Sequence, residues 1–178
     1  MERYAALLRG VNVGGNRKVP MAELREVMAG LGWEDARTYL NSGNAVFAAG
    51  ERGTAELAAE LEAAIADRFG FPVPCLVRTA GELRAAVGAC PYPTADIDPT
   101  GLLVLFLDRA PDTGRLAAVD AAAYAPDEFR VGERELYCRF PDGMGRSRLP
   151  AALEAACRGR TVTGRNWRTV TRLLDRVS

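Results

Sequence analysis

The chain has 178 residues, 48% of them hydrophobic and 26% charged, with 23 basic and 23 acidic side chains. That apolar share can bury one or two cores, and the charge balance excludes a disordered or wholly basic chain. Histidine is absent, which excludes Ser-His-Asp and Cys-His catalysis and histidine-bound metals.

Residues 4–11 read as a buried strand, followed by a glycine-rich loop over 10–19. Pro20 suits a helix start, Met21, Leu24, Val27, Met28 and Leu31 keep helical spacing, and Gly32 stops the run. Short strands over 37–40 and 44–48 flank Asn41-Ser42-Gly43-Asn44, a strong turn signal, so a hairpin is expected. Thr54 can cap a helix with Leu57, Leu61 and Ile65 on its core face, Gly70 ends it, and 73–77 form a strand. Residues 1–79 thus follow the order β-α-β-β-α-β. A short helix over 82–87 and a proline-rich stretch over 91–99 make 80–100 a linker.

The order then repeats over 101–178. Residues 102–107 read as a strand, and Leu116, Val119 and Ala123 mark one helix. Strands over 128–131 and 135–140 flank Gly132-Glu133, and Leu149, Leu153 and Cys157 mark a second helix. A strand over 161–164 and a closing helix with Val170, Leu173, Leu174 and Val177 complete the half. The expected class is α+β: two tandem ferredoxin-like (βαββαβ) units with a closing C-terminal helix.

In such a unit the strand order is 4-1-3-2, so the loop after strand 1 and the 2-3 hairpin share one end of the sheet. That brings Gly10, Asn12, Gly14, Gly15, Arg17 and Lys18 beside Ser42 and Asn44. The loop after strand 3 and the exit of strand 4 share the opposite end. In the second half that gathers Asp142, Gly145, Arg146, Ser147 and Arg148 with Arg165, Asn166 and Trp167. Both glycine-basic segments precede a helix, where backbone N–H groups and the helix dipole favour an anion. Uncompensated cations there cost roughly 0.3–1 kcal/mol each, and a bound phosphate or carboxylate reverses the sign. The plain alternative is that these side chains extend into solvent, where screening removes the cost.

Charge is segregated along the chain: residues 1–18 and 130–178 are net basic, and 19–129 are net acidic. Gly10 and Gly15 have Walker A spacing, but Asn16-Arg17 stands where Lys-Ser/Thr is required, and no GxGxxG fingerprint occurs. No cofactor is therefore expected. Arg165-Asn166-Trp167 offers a fork of donors, an amide and a flat face, though Trp167 equally suits a core plug between sheet and helix, and Tyr4 and Phe47 would suit base stacking on an open sheet. Asp142 could act as acid or base with Ser147, Ser42, Tyr39 or Tyr137, or serve only as a turn residue before Gly143. Cys75, Cys90, Cys138 and Cys157 have no metal-type spacing, and Cys75, Cys138 and Cys157 sit among apolar residues, where cysteine acts as a small hydrophobe. The run at 102–107 is too short to span a bilayer and no leader precedes the first strand, so a cytoplasmic location and no membrane partner are expected.

Four motifs carry a family likeness: Leu7-Leu8-Arg9-Gly10-Val11-Asn12-Val13-Gly14-Gly15, Ser42-Gly43-Asn44, Asp142-Gly143-Met144-Gly145-Arg146-Ser147 and Arg165-Asn166-Trp167. Through them the chain resembles, over almost its full length, the bacterial proteins grouped as domain of unknown function 1697. The resemblance implies a tandem ferredoxin-like fold and no established activity. Relatives continue Arg-Asn-Trp with Asn-Thr-Val and Gly-Arg-Ser with Lys-Leu-Thr; here Arg168-Thr169-Val170 and Arg148-Leu149-Pro150 follow.

The leading expectation is a protein that binds a small anionic or phosphorylated, nucleotide-like ligand. Arg9, Arg17, Arg146, Arg148 and Arg165 would contact the anion, and Gly14, Gly15 and Gly145 would cradle it. Asn12, Ser42, Asn44 and Asn166 would recognise polar groups, and Trp167 would stack. The alternatives are an enzyme on such a ligand using Asp142, a nucleic-acid-binding protein acting through the basic termini, and an interaction module.

Overall fold

The computed structural model describes residues 1–178. Its class is α+β, with two four-stranded antiparallel sheets and six α-helices. Two compact units divide the chain: Met1–Arg84 with Leu173–Ser178, and Ala85–Arg172. No helix is long and apolar enough to cross a membrane.

In the first unit the elements are β1 (Glu2–Leu8), α1 (Met21–Gly30), β2 (Glu34–Tyr39), β3 (Asn44–Ala49), α2 (Thr54–Phe69) and β4 (Cys75–Thr79). The sheet order is β2-β3-β1-β4, and β1 is antiparallel to both its neighbours. β1 is buried on both faces from Tyr4 onward, which is why its sequence is a continuous apolar run rather than an alternating one. Tyr4, Ala6 and Leu8 join Ala45 and Phe47 in the core that α1 and α2 cover. The α2 contribution is Leu57, Leu61 and Ile65, the predicted stripe, all buried. Trp33 stacks on Phe47 at 4.1 Å between ring centroids, and Phe47 on Tyr4 at 5.4 Å, so neither Tyr4 nor Phe47 is open to a base. Gly70, in the left-handed conformation, closes α2. Nearby, Arg68 bridges Glu23 and Glu26 of α1, both at 3.1 Å.

The chain continues through α3 (Ala80–Gly88) and a short 3-10 helix at Thr94–Asp96. The second sheet is built from β5 (Leu102–Leu107), β6 (Glu128–Val131), β7 (Glu135–Arg139) and β8 (Val162–Asn166), in the order β6-β7-β5-β8. Its helices are α4 (Thr113–Ala117) and α5 (Leu149–Ala156), and α6 (Trp167–Val177) closes the chain. Leu103, Leu105 and Leu107 pack with Leu116, Leu136, Cys138, Leu149 and Leu153.

The single helix expected around 116–123 is broken. Asp120 accepts a hydrogen bond from the Ala122 amide at 3.2 Å and opens a separate 3-10 turn, Ala121–Tyr124. An aspartate that bonds its own downstream backbone competes with helix continuation. In the same unit the buried Tyr137 hydroxyl donates to the Ala86 carbonyl at 2.6 Å. Tyr137→Phe strands that carbonyl, and about 1–2 kcal/mol of stability should be lost, read as a lower urea midpoint at unchanged slope.

Burial pushes the thiols of Cys75 and Cys138 up, Cys138 to about 12. Neither supplies a thiolate near neutrality. No cluster of three or more cysteine or acidic side chains is arranged to hold a metal.

Candidate functional site

In the first unit the segment after β1 meets the β2–β3 turn at one end of the sheet. It is not an open glycine loop. Val13 and Asn16 pair as an antiparallel bridge, and the Asn12 amide donates to the Arg17 carbonyl at 3.2 Å. Gly14 and Gly15 lie between them with φ of +64° and +78°, the pair of positive angles a two-residue I′ turn requires. Residues 12–17 therefore form a miniature hairpin, a finger whose glycines serve its tip rather than a cradle at a helix start.

Asn12 fixes this finger. Its Nδ2 donates to the Val19 carbonyl at 2.9 Å and to the Asn41 carbonyl at 2.6 Å, while its Oδ1 accepts from the Val19 amide at 2.9 Å. Asn44 is wholly buried, and its Nδ2 donates to the Tyr39 carbonyl at 2.9 Å and to Ser42 Oγ at 3.1 Å. Asn12, Ser42 and Asn44, expected to recognise polar groups, are here engaged in building the loops. Their amides and hydroxyl bind the chain itself. Gly10 turns the chain out of β1 with φ +68°, and the half-buried Arg9 donates its amide to the Pro74 carbonyl at 2.9 Å. Arg17 and Lys18 are exposed on the finger.

In the second unit, Leu102 pairs with Arg139 and Leu103 with Asn166, so the loop after β7 and the exit of β8 do share one sheet end. The Arg-Asn-Trp side chains, however, are spent on the fold. Arg165 lies within β8, only 8% exposed, and its Nη1 donates to Thr163 Oγ1 and the Gly164 carbonyl, both at 2.8 Å. Burial pulls its pKa down to about 10, which leaves it charged at neutral pH. Asn166 Oδ1 accepts from the Thr169 amide at 3.0 Å and so caps α6. Trp167 is 7% exposed at the first turn of α6, with no open face for stacking.

The start of α5 is also less open than its sequence suggests. Ser147 Oγ accepts from the Leu149 amide at 3.2 Å, Pro150 has no N–H, and the Ala152 amide donates to the Arg148 carbonyl at 3.2 Å. Of the first-turn amides only that of Ala151 is left over. Any anion here must be held by side chains. Gly145 lies open beside them, and Asp142 sits exposed in the preceding turn, where Gly143 carries φ +90°.

Those side chains face a cleft of about 400 Å³ lined by Ala123, Tyr124, Asp127, Arg146, Ser147 and Arg148. Arg146 and Arg148 are exposed and form no ion pair, while Tyr124 and Asp127 are half-buried. Tyr124 packs against the unit's core, and its carbonyl accepts from the Asp127 amide at 2.9 Å. Ser147 keeps its hydroxyl proton free to donate. Tyr124 and Asp127 were invisible as site residues in the sequence. They lie 22 and 19 positions before Arg146 in a stretch without a motif, and only the pairing of β6 with β7 brings them round. A second cavity, of about 450 Å³, lies between α4 and α5 over Ala118, Val119, Ala152 and Ala155. Its Arg115 is committed to Asp112 at 3.6 Å and to the Arg158 carbonyl at 3.3 Å, which leaves an alanine-lined floor.

Comparison with known proteins settles the family. A family described as "Protein of unknown function (DUF1697)" matches residues 1–137. The chain belongs to the DUF1697 family. That match includes the finger, the β2–β3 turn, Tyr124 and Asp127, and ends before Arg146 and Arg148. A solved structure, "conserved bacterial protein SP0830 from Streptococcus pneumoniae", is 26% identical with a TM-score of 0.77, covering 99% of this chain and 98% of that one. No match was found among curated proteins.

Proposed function

We propose that each half of this DUF1697 protein is a ferredoxin-like unit, and that the second half binds a small phosphate- or carboxylate-bearing ligand in the cleft beside α5. The β-α-β-β-α-β order and the order 2-3-1-4 in both sheets support the first point. One observation carries the second: Arg146 and Arg148 border the same 400 Å³ cleft, and neither forms an ion pair. Two guanidinium forks at the positive end of a helix favour an oxyanion, which each can bind through parallel N–H donors. Ser147 adds a hydroxyl donor between them. The proposed setting is the cytoplasm, where buried thiols such as Cys75 and Cys138 stay reduced.

Thermal melting tests this. Ribose 5-phosphate at about a hundredfold its dissociation constant contributes about 2.7 kcal/mol. For a chain of this size that is a rise of roughly 5–10 °C. The shift should vanish in Arg146→Ala/Arg148→Ala, whose exposed side chains can be removed without touching the core. An equal shift in the double variant, or none in the wild type, would refute the reading.

A further inference from the structure

We infer that the ligand of this cleft is a nucleoside monophosphate whose base turns two adjacent N–H donors, the edge that guanine presents, toward Asp127. The inference rests on the anion-binding reading above and specifies the other end of the ligand.

Asp127 lines the same cavity as Arg146 and Arg148, yet no ion pair joins it to either. A site shaped only for a bare phosphate gains nothing from a carboxylate, which repels it. An ionised carboxylate has acceptors and no donor, so whatever faces it must donate. The lining therefore carries both signs of charge, cationic from the start of α5 and anionic from the residue just before β6. A ligand that satisfies both is an anion at one end and a hydrogen-bond donor at the other.

Size and shape narrow the class. A volume of about 400 Å³ is several times what a phosphate fills and falls within the usual range for small-molecule sites. Tyr124 lines the same cavity, steadied by its packing on the core, and an aromatic ring there suits a flat partner. A carboxylate's two oxygens match two neighbouring N–H groups, as in the arginine–carboxylate fork with the roles exchanged. Guanine offers its ring N–H next to its amino group. Hypoxanthine lacks the amino group, and ribose 5-phosphate has no base at all.

Titration calorimetry with GMP, IMP and ribose 5-phosphate tests the assignment on the wild type, Asp127→Asn and Arg146→Ala/Arg148→Ala. The wild type should bind GMP at least tenfold more tightly than IMP or ribose 5-phosphate. Asp127→Asn should lose that preference and bind ribose 5-phosphate more tightly than the wild type does, because a like charge is gone. The arginine double variant should bind none of the three. Equal affinities for the three ligands in the wild type, or a GMP preference that survives Asp127→Asn, would overturn the base assignment and leave the anion site standing. No binding by the wild type to any of them would overturn both.

Discussion

Gly43→Ala should cost the protein roughly 3–4 kcal/mol, the larger part of it steric. Gly43 closes the β2–β3 turn with φ +94°, beyond the region that other residues visit easily. Its added Cβ would stand 2.7 Å from Val11 Cγ2 and 2.8 Å from Leu8 Cβ. Neither neighbour can yield cheaply. Leu8 Cβ is fixed to the end of β1, whose amide donates to the Gly43 carbonyl at 2.8 Å, and Val11 is wholly buried. Relief requires lifting the turn off the sheet, which also loosens the base of the finger. Gly14→Ala is the matched control: φ is positive there too, but nothing lies within 4 Å of the added carbon. It should cost only about 1–2 kcal/mol. Urea denaturation of the two variants separates the steric part from the conformational part. Equal losses would mean the turn relaxes freely, and the close packing of Gly43 would carry no weight.

How much of this was legible in the sequence depends on the range of the interaction that decides each feature. The central strands were legible because burial on both faces demands unbroken apolar runs, as in Leu102–Leu107. Leu57, Leu61 and Ile65 were legible because a helix repeats its core face every three or four residues. The finger was not legible because adjacent glycines serve two purposes, close approach to a phosphate and left-handed turn geometry, and the Val13–Asn16 bridge leaves no mark in the composition.

The Arg-Asn-Trp triple is ambiguous for a different reason. Its polar groups suit a ligand and the fold alike: Arg165 lies in a buried edge strand with Thr163 as partner, and Asn166 does the ordinary work of a helix cap. An asparagine immediately before a helical pattern is itself a cap signal, so that role could have been found. That Arg146 and Arg148 lie near one another was legible, since two positions apart in a loop is a local fact. Their acidic counterpart Asp127 was not, because only strand pairing across β6 and β7 places it there.

Asn12→Ala is the complementary test, since it removes bonds where Gly43→Ala adds atoms. Asn12 spends both ends of its amide on Val19, a wholly buried residue at the entrance to α1, and on the Asn41 carbonyl of the turn. Without it, the Val19 N–H and C=O lose their partners together, at about 1–3 kcal/mol for a buried group left unsatisfied. The Asn41 carbonyl lies at the surface and can turn to water, so it adds little. Asn12 also holds φ +56°, which asparagine tolerates far better than alanine, and that adds about 1 kcal/mol. The expected loss for Asn12→Ala is therefore roughly 3 kcal/mol. Asn12→Gly removes the same bonds but keeps the left-handed backbone at ease, so it should fall short of the alanine variant by about the conformational part. Amide exchange adds a local readout: the Val19 N–H should lose protection in both variants, while amides of the second sheet, such as that of Leu105, keep theirs. If Val19 stayed protected in both, the asparagine would not be what joins the finger, the turn and the start of α1.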